Sequence, residues 1–157
     1  MKQGSAVFNR ALILNRAGEC IYQYDKIHLV PMLDEPSYFT GGQAPVQTFE
    51  LDGSRMGVLI CYDLRFPELA RTLSLKEIDV LFIVAEWPAA RASHWEILLQ
   101  ARAIENQCFV VSCNRVGAYN GVDFAGRSMI IDLGGRCLPK GLLTRKKPSQ
   151  PILSFRT

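Results

Sequence analysis

Apolar positions recur along this chain in two rhythms. The stretch "AVFNRALILN" is rich in apolar and β-tolerant residues and stops at "RAGE", a turn carrying Gly18; "CIYQYDK" then alternates apolar with polar positions. Together they predict a two-stranded hairpin. "VQTFELDGSRMGVLICYD" predicts a strand, an Asp52-Gly53 turn and a second strand. Its last residues, Val58 to Cys61, are apolar without alternation, as are "DVLFIVAEW" and "CFVVSCN", and such runs predict strands buried on both faces. "DFAGRSMIID" predicts a last strand.

Helical spacing separates these runs. "FPELARTLSLKE" opens with Pro67, places Glu68 in the first turn and carries Leu69, Leu73 and Lys76 at helical intervals. "ASHWEILLQARAIENQ" predicts a second helix, with Ser93 as its cap. Strand, helix, strand, helix, strand in that order predicts an α/β layer arrangement. Between the hairpin and the third strand, "VPMLDEPSYFTGGQAP" concentrates Pro, Gly, Asp and Ser. Irregular connections of that length are uncommon unless they carry function.

Composition narrows the class. With 157 residues, 48% hydrophobic and 21% charged, the chain reads as one soluble globular domain with a real core. The net charge of +3 is modest, and the basic excess gathers in "TRKKPSQP". Neither nucleic-acid binding nor a membrane span is expected, since no apolar segment approaches the ~20 residues a bilayer requires. The start "MKQGSAVFNR" lacks the apolar core of a signal peptide, so a cytoplasmic location is expected. Five cysteines, Cys20, Cys61, Cys108, Cys113 and Cys137, contain no C-x-x-C pair and fit reduced thiols better than disulfides or structural zinc.

Cys61 stands where a buried strand meets a helix, a position at which α/β sheets form binding crevices and from which a nucleophile is presented to backbone N–H groups. The residues alone leave it open between nucleophile and buried core thiol. Lys26, in "YDKIHL", is by itself as readily a solvated lysine as a group that tunes a thiolate. His28 and His94 allow a Cys-His hydrolase, although neither lies in a motif of that class. Cys108 and Cys113 fall on opposite faces of their strand and are expected to pack in the core.

Taken together and in order, "YDKIHLVPMLDEPSYFTGG", "GVLICYDLRFPELAR", "AEWPAARASHWEILLQARAIENQCFVVSCNRVG" and "FAGRSMIID" resemble the amidase-like branch of the carbon-nitrogen hydrolase (nitrilase) superfamily. The resemblance implies a four-layer α-β-β-α sandwich, present here in part, and hydrolysis of small non-peptide amides or nitriles with no metal or cofactor. Cys61 then matches the nucleophile of the C-x-D-x-R-F/Y-P-E motif, and Lys26 the lysine of K-x-H-L. Glu35 is the best match to a second glutamate that positions substrate. The N–H of Tyr62 would join Lys26 in holding an oxyanion, and Trp87 would wall the pocket or pack. Arg65 and Glu68 become candidates for an ion pair behind the nucleophile. The resemblance also implies a small-molecule amide as partner and a homo-oligomer, commonly a dimer.

Two departures accompany the likeness. The family's catalytic glutamate lies upstream in a Pro-Glu motif, whereas "KQGSAVFNRALIL" resembles the family's middle and no residue before Lys26 replaces that base. Residues 1–132 therefore read as the family domain without its first portion. After Asp132, a neighbouring reading frame is compatible with the family's Pro-Trp-Gly turn, acidic stretch and alternating last strand. Residues 133–157 are on that ground expected to be a frameshifted tail. The missing base leaves two expectations, a hydrolase of small amides or a catalytically dead binding or assembly protein of the same fold.

Overall fold

Both rhythms become real elements in the computed structural model, which describes residues 1–138; residues 139–157, and with them most of the expected frameshifted tail, lie outside the description. In chain order the elements are β1 (Lys2–Gln3), β2 (Ala6–Val7), β3 (Arg10–Leu14), β4 (Cys20–Asp25), a 3₁₀ turn (Pro31–Leu33), α1 (Glu35–Tyr38), β5 (Phe49–Leu51), β6 (Ser54–Ile60), a 3₁₀ segment (Cys61–Arg65) and α2 (Pro67–Ser74). There follow β7 (Val80–Ala85), a 3₁₀ turn (Ala89–Arg91), α3 (Ala92–Asn106), β8 (Phe109–Asn114), β9 (Val116–Tyr119), β10 (Val122–Ala125) and β11 (Met129–Ile131).

The main sheet has the order β11-β8-β7-β6-β5. Its three central strands β6, β7 and β8 run parallel, and the two edge strands are antiparallel to their neighbours. Parallel neighbours need crossovers, and α2 and α3 supply them. Register aligns Gly57, Leu81, Val110 and Ile131 across four strands, with Leu59, Ile83, Ser112 and Met129 one pleat further on. These rows face the helices: Leu59, Leu81, Ile83, Val110 and Ile131 are all 0% exposed. A Cβ on Gly57 would lie 2.8 Å from Leu73 Cδ1, so α2 rests directly on β6 because that position has no side chain. From α3, Trp95, Leu99 and Ala103, spaced four apart on one face, complete this half of the core.

On the other face the β3–β4 hairpin covers the β5–β6 side, where Tyr24 is buried and the Tyr22 and Phe49 rings stack at 5.3 Å. The opposite-face residues of β7, β8 and β11 stay partly open: Val84 is 40% exposed, Cys113 is exposed, and Phe82, Val111 and Ile130 are half-buried. The described residues thus hold a helix layer, a full sheet and a hairpin where a second sheet would lie, a partial α-β-β-α sandwich. Burial on both faces holds for β6 but not for β7 and β8, and Cys113 is not a core residue, because nothing among the described residues covers that side.

Three local readings are corrected. "DFAGRSMIID" is two strands, since Gly126 and Arg127 both adopt positive φ (60° and 56°) and break the run; β10 pairs with β9 in a separate hairpin and only β11 joins the main sheet. Ser93 does not cap α3, which begins one residue earlier with Arg91 in the cap position and no side-chain cap. The loop after β4 carries a 3₁₀ turn and the single turn α1 rather than irregular chain alone. Among the described residues, no helix is long and apolar enough to cross a membrane.

Candidate active site

The site forms where β4 and β6 end side by side. Cys61 follows the last residue of β6 and adopts φ +50°, a left-handed conformation that costs a non-glycine residue of order 1–3 kcal/mol. Neighbouring contacts hold that turn in place. Asp63, 0% exposed, accepts hydrogen bonds from Tyr24 Oη (2.8 Å), the His28 backbone N–H (2.9 Å) and the Ile60 N–H (3.4 Å), and its Oδ1 lies 3.0 Å from His28 Nδ1. One carboxylate therefore ties the strand before Cys61 to the residues on both sides of Lys26. Behind the turn, Arg102 of α3 donates to the Leu64 carbonyl at 2.7 Å.

Lys26 follows directly after β4 and is 1% exposed. Its ammonium meets both oxygens of Glu35, at 2.8 and 2.6 Å, and Glu35 also accepts the Val30 N–H at 2.7 Å. The long connection is thereby folded back onto the strand end. Gly42 closes it: its N–H donates to the Lys26 carbonyl at 2.9 Å, and a Cβ there would lie 2.5 Å from the Asp25 carbonyl oxygen. Beside this pair, Arg10 grips Asp25 with two hydrogen bonds of 2.6 and 2.7 Å.

Cys61 lines two cavities. The first, about 590 Å³, is walled by Lys26, Glu35, Phe8, Arg10 and Val84; the second, about 310 Å³, by Tyr62, Arg65, Trp87, Arg91 and His94. Lys26, Glu35 and Cys61 are thus brought together on one side, and Tyr62 and Trp87 join Cys61 on the other. Trp87 both packs and walls the pocket: it is 2% exposed, stands 5.4 Å from the Trp95 ring and donates Nε1–H to the Arg91 carbonyl at 2.7 Å.

Burial pushes the Cys61 thiol up; the Lys26 charge and a backbone contact at Glu86 pull it down, while Glu35 and Asp63 push it further up. The net direction is upward, so the thiol form is favoured at rest. Cys108, in the core, is pushed up to about 11 by burial alone. Neither histidine receives the Cys61 thiol, which points at the Glu86 carbonyl. His28 stacks on Phe66 with ring centroids 3.4 Å apart, and His94 Nδ1 lies 3.3 Å from Arg65 Nη2.

The expected Arg65–Glu68 pair does not form among the described residues. Arg65 points into the second cavity, its guanidinium carbon 4.8 Å from the Trp87 ring centroid and 5.8 Å from that of Tyr62. Sequence reading missed Asp63, Tyr24 and Arg102 as the groups that hold the site. All three stand inside quoted motifs, but which donors a buried charge satisfies is settled by the pairing of distant segments.

The arrangement places a buried cation and a thiol on one cavity wall, so an amide carbonyl seated there would meet a nucleophile and an oxyanion partner together. A family model described as carbon-nitrogen hydrolase matches residues 2–146. A 2-oxoglutaramate amidase of Bacillus subtilis (strain 168) is 48% identical over 141 residues, 90% of this chain and 54% of that protein. Among solved structures, a carbon-nitrogen hydrolase superfamily protein of Xanthomonas campestris with an arsenic adduct in its active site superposes with a TM-score of 0.81 at 38% identity, over 87% of this chain and 54% of that one. An amidase from Nesterenkonia sp. AN1, in a glutamate-to-glutamine variant with the acetamide moiety of fluoroacetamide added covalently to its active site cysteine, gives 0.77 at 28% identity, over 82% and 49%. The chain spans about half the length of the relatives it matches.

Proposed function

The chain belongs to the carbon-nitrogen hydrolase family, and from that membership we propose that it hydrolyses small non-peptide amides through a thioester on Cys61. One observation carries this reading: Cys61, in a left-handed turn at the end of β6, shares a cavity wall with buried Lys26 and the Glu35 that it pairs with. The Cys61 sulfur attacks the amide carbon and its proton passes to the leaving nitrogen. Lys26 and the Tyr62 N–H hold the oxyanion, and C–N cleavage releases ammonia to leave a thioester. Water then adds to the thioester carbon, the C–S bond breaks, and a carboxylic acid and the free thiol result.

Glu35 is the positioning residue for Lys26, since both its oxygens are engaged by the ammonium. Proton transfer needs a base, and the acids near Cys61 are occupied: Glu35 by Lys26, Asp63 by Tyr24 and His28, Glu86 by Arg115. That occupancy, with the raised thiol, supports a second reading in which the same pocket binds small amides without turnover. The experiment is ammonia release from glutaramate, glutaramide and propionamide by the wild type, Cys61→Ala and Lys26→Met. Hydrolysis requires release that both substitutions abolish. Release unchanged in Cys61→Ala would sink the thioester, and no release alongside saturable binding would favour the second reading.

A further inference from the structure

Cys61 shares both of its cavities with an acid. Val30, Leu33, Cys61 and Glu86 line the two cavities alike, and of these four only Cys61 and Glu86 can give or take a proton. The sheet puts them together. β6 and β7 are parallel neighbours paired through Ile60 and Val84, so Cys61 and Glu86 stand just past the ends of adjacent strands, where an α/β sheet opens its crevice. The Glu86 carbonyl lies 4.0 Å from Sγ, which sets the backbone of the acid beside the thiol.

The acids near Cys61 differ in how firmly they are held. Asp63 is 0% exposed and accepts hydrogen bonds from Tyr24, His28 and Ile60, while Glu35 meets the buried Lys26 ammonium through both oxygens. Freeing either would leave a buried charge unpaired. Glu86 instead meets Arg115 at 2.9 Å with side chains 64% and 36% exposed, and surface pairs of that kind contribute little. Arg115 keeps other support, its guanidinium carbon 4.7 Å from the Phe124 ring centroid and 5.5 Å from that of Tyr119. Glu86 is therefore the acid that turns most readily from its partner toward the cavities.

We infer that Glu86 is the catalytic proton carrier of this site, turning from Arg115 to take the Cys61 proton and deliver it to the leaving nitrogen. The inference rests on the reading of Cys61 as the nucleophile and deepens it. As the S–C bond forms, the Sγ proton passes to the carboxylate; as the C–N bond breaks, the carboxyl gives that proton to nitrogen and ammonia leaves. In the second half the carboxylate takes a proton from water while the water oxygen adds to the thioester carbon. It returns that proton to sulfur as the C–S bond breaks, so each half ends with Glu86 ionised.

The test is acylation by p-nitrophenyl acetate, whose leaving group needs no proton, so the first transfer is read alone. The full chain is mixed with the ester across a range of pH; nitrophenolate release is followed by absorbance, and the acetyl group on the Cys61 peptide by mass spectrometry. Near neutral pH, Glu86→Gln is expected to acylate roughly 10²-fold more slowly than wild type, the usual contribution of a positioned base. At alkaline pH, where Cys61 ionises unaided, the gap closes. Glu86→Asp keeps part of the rate, and Arg115→Gln acylates at least as fast as wild type. The sign separates this role from a purely electrostatic one, since removing a negative charge beside a thiol favours the thiolate and would speed the reaction. Circular dichroism establishes that each variant is folded; should Glu86→Gln fail to fold, Glu86→Asp and Arg115→Gln carry the comparison. Wild-type acylation rates in Glu86→Gln near neutral pH, or a loss of equal size at every pH, overturn the inference alone. Acylation that persists in Cys61→Ala, or none in the wild type, overturns the reading of Cys61 as nucleophile and the inference with it.

Discussion

Replacing Asp63 by Asn keeps the shape of the side chain and exchanges one acceptor oxygen for a donor. In one orientation the new NH₂ faces the His28 N–H, whose acceptor stood 2.9 Å away; in the other it faces Tyr24 Oη at 2.8 Å and the Ile60 N–H at 3.4 Å. Tyr24 can rotate its hydroxyl to accept, so the second orientation is preferred and the Ile60 N–H is left opposite a donor. The three hydrogen bonds that the carboxylate accepted become neutral, reverse or vanish at a site that is 0% exposed. Bonds to charged groups contribute about 1.5–3 kcal/mol each, so a loss of about 3 kcal/mol is expected. For a domain of this size that corresponds to a fall in Tm of roughly 6–12 °C. The assay is thermal unfolding by circular dichroism together with the alkylation rate of Cys61, because the same carboxylate orders the turn that presents the thiol. A variant that melts within about 1 °C of wild type and labels Cys61 at an unchanged rate would refute the assignment of Asp63 as the tie between the two segments.

Further outcomes follow from the same geometry. Gly57→Ala should destabilise by about 1–3 kcal/mol in urea unfolding, since its Cβ would meet Leu73 Cδ1 at 2.8 Å in a packed layer. The alkylation rate of wild-type Cys61 should rise with pH to a midpoint above the ordinary cysteine range, because burial outweighs Lys26. Glu35→Gln removes a negative charge and frees Lys26, lowering that midpoint, whereas Lys26→Met raises it; shifts of the opposite sign would contradict the electrostatic account. The raised thiols also predict a stability term present below the unfolded cysteine pKa and lost as pH climbs toward about 11, where Cys108 ionises in the fold; Cys108→Ala should flatten that alkaline slope in unfolding titrations. The open sheet face should enhance the fluorescence of a hydrophobic dye, and Val84→Lys should reduce the signal.

Much of this was legible in the sequence, for identifiable reasons. β6, β7, β8, α2 and α3 follow from periodicity because each buries one face against the others. The pairing of Cys61 with Lys26 came from matched motifs, since no local pattern links positions that only the fold makes neighbours. Glu35 was placed by resemblance, and its grip on Lys26 depends on the chain reversing at Asp34, where φ is +54°. What escaped reading was settled by surroundings. The apolar runs of β7 and β8 look buried on both faces, but no described residue covers one of them. Arg65 and Glu68 are spaced to pair, yet Trp87 and Tyr62 draw Arg65 into the cavity. Asp63 sat in plain view within "CYDLR" with its partners 35 and 39 residues away.

The central claim is a covalent bond between Cys61 and the acyl group of an amide. Incubation of the chain with glutaramate, acid quench and mass mapping of the peptide containing Cys61 tests it most directly. The account predicts an acyl adduct on Cys61 that hydroxylamine removes and that Lys26→Met diminishes. Ammonia release with no adduct on Cys61, or an adduct on another cysteine at equal yield, would contradict it.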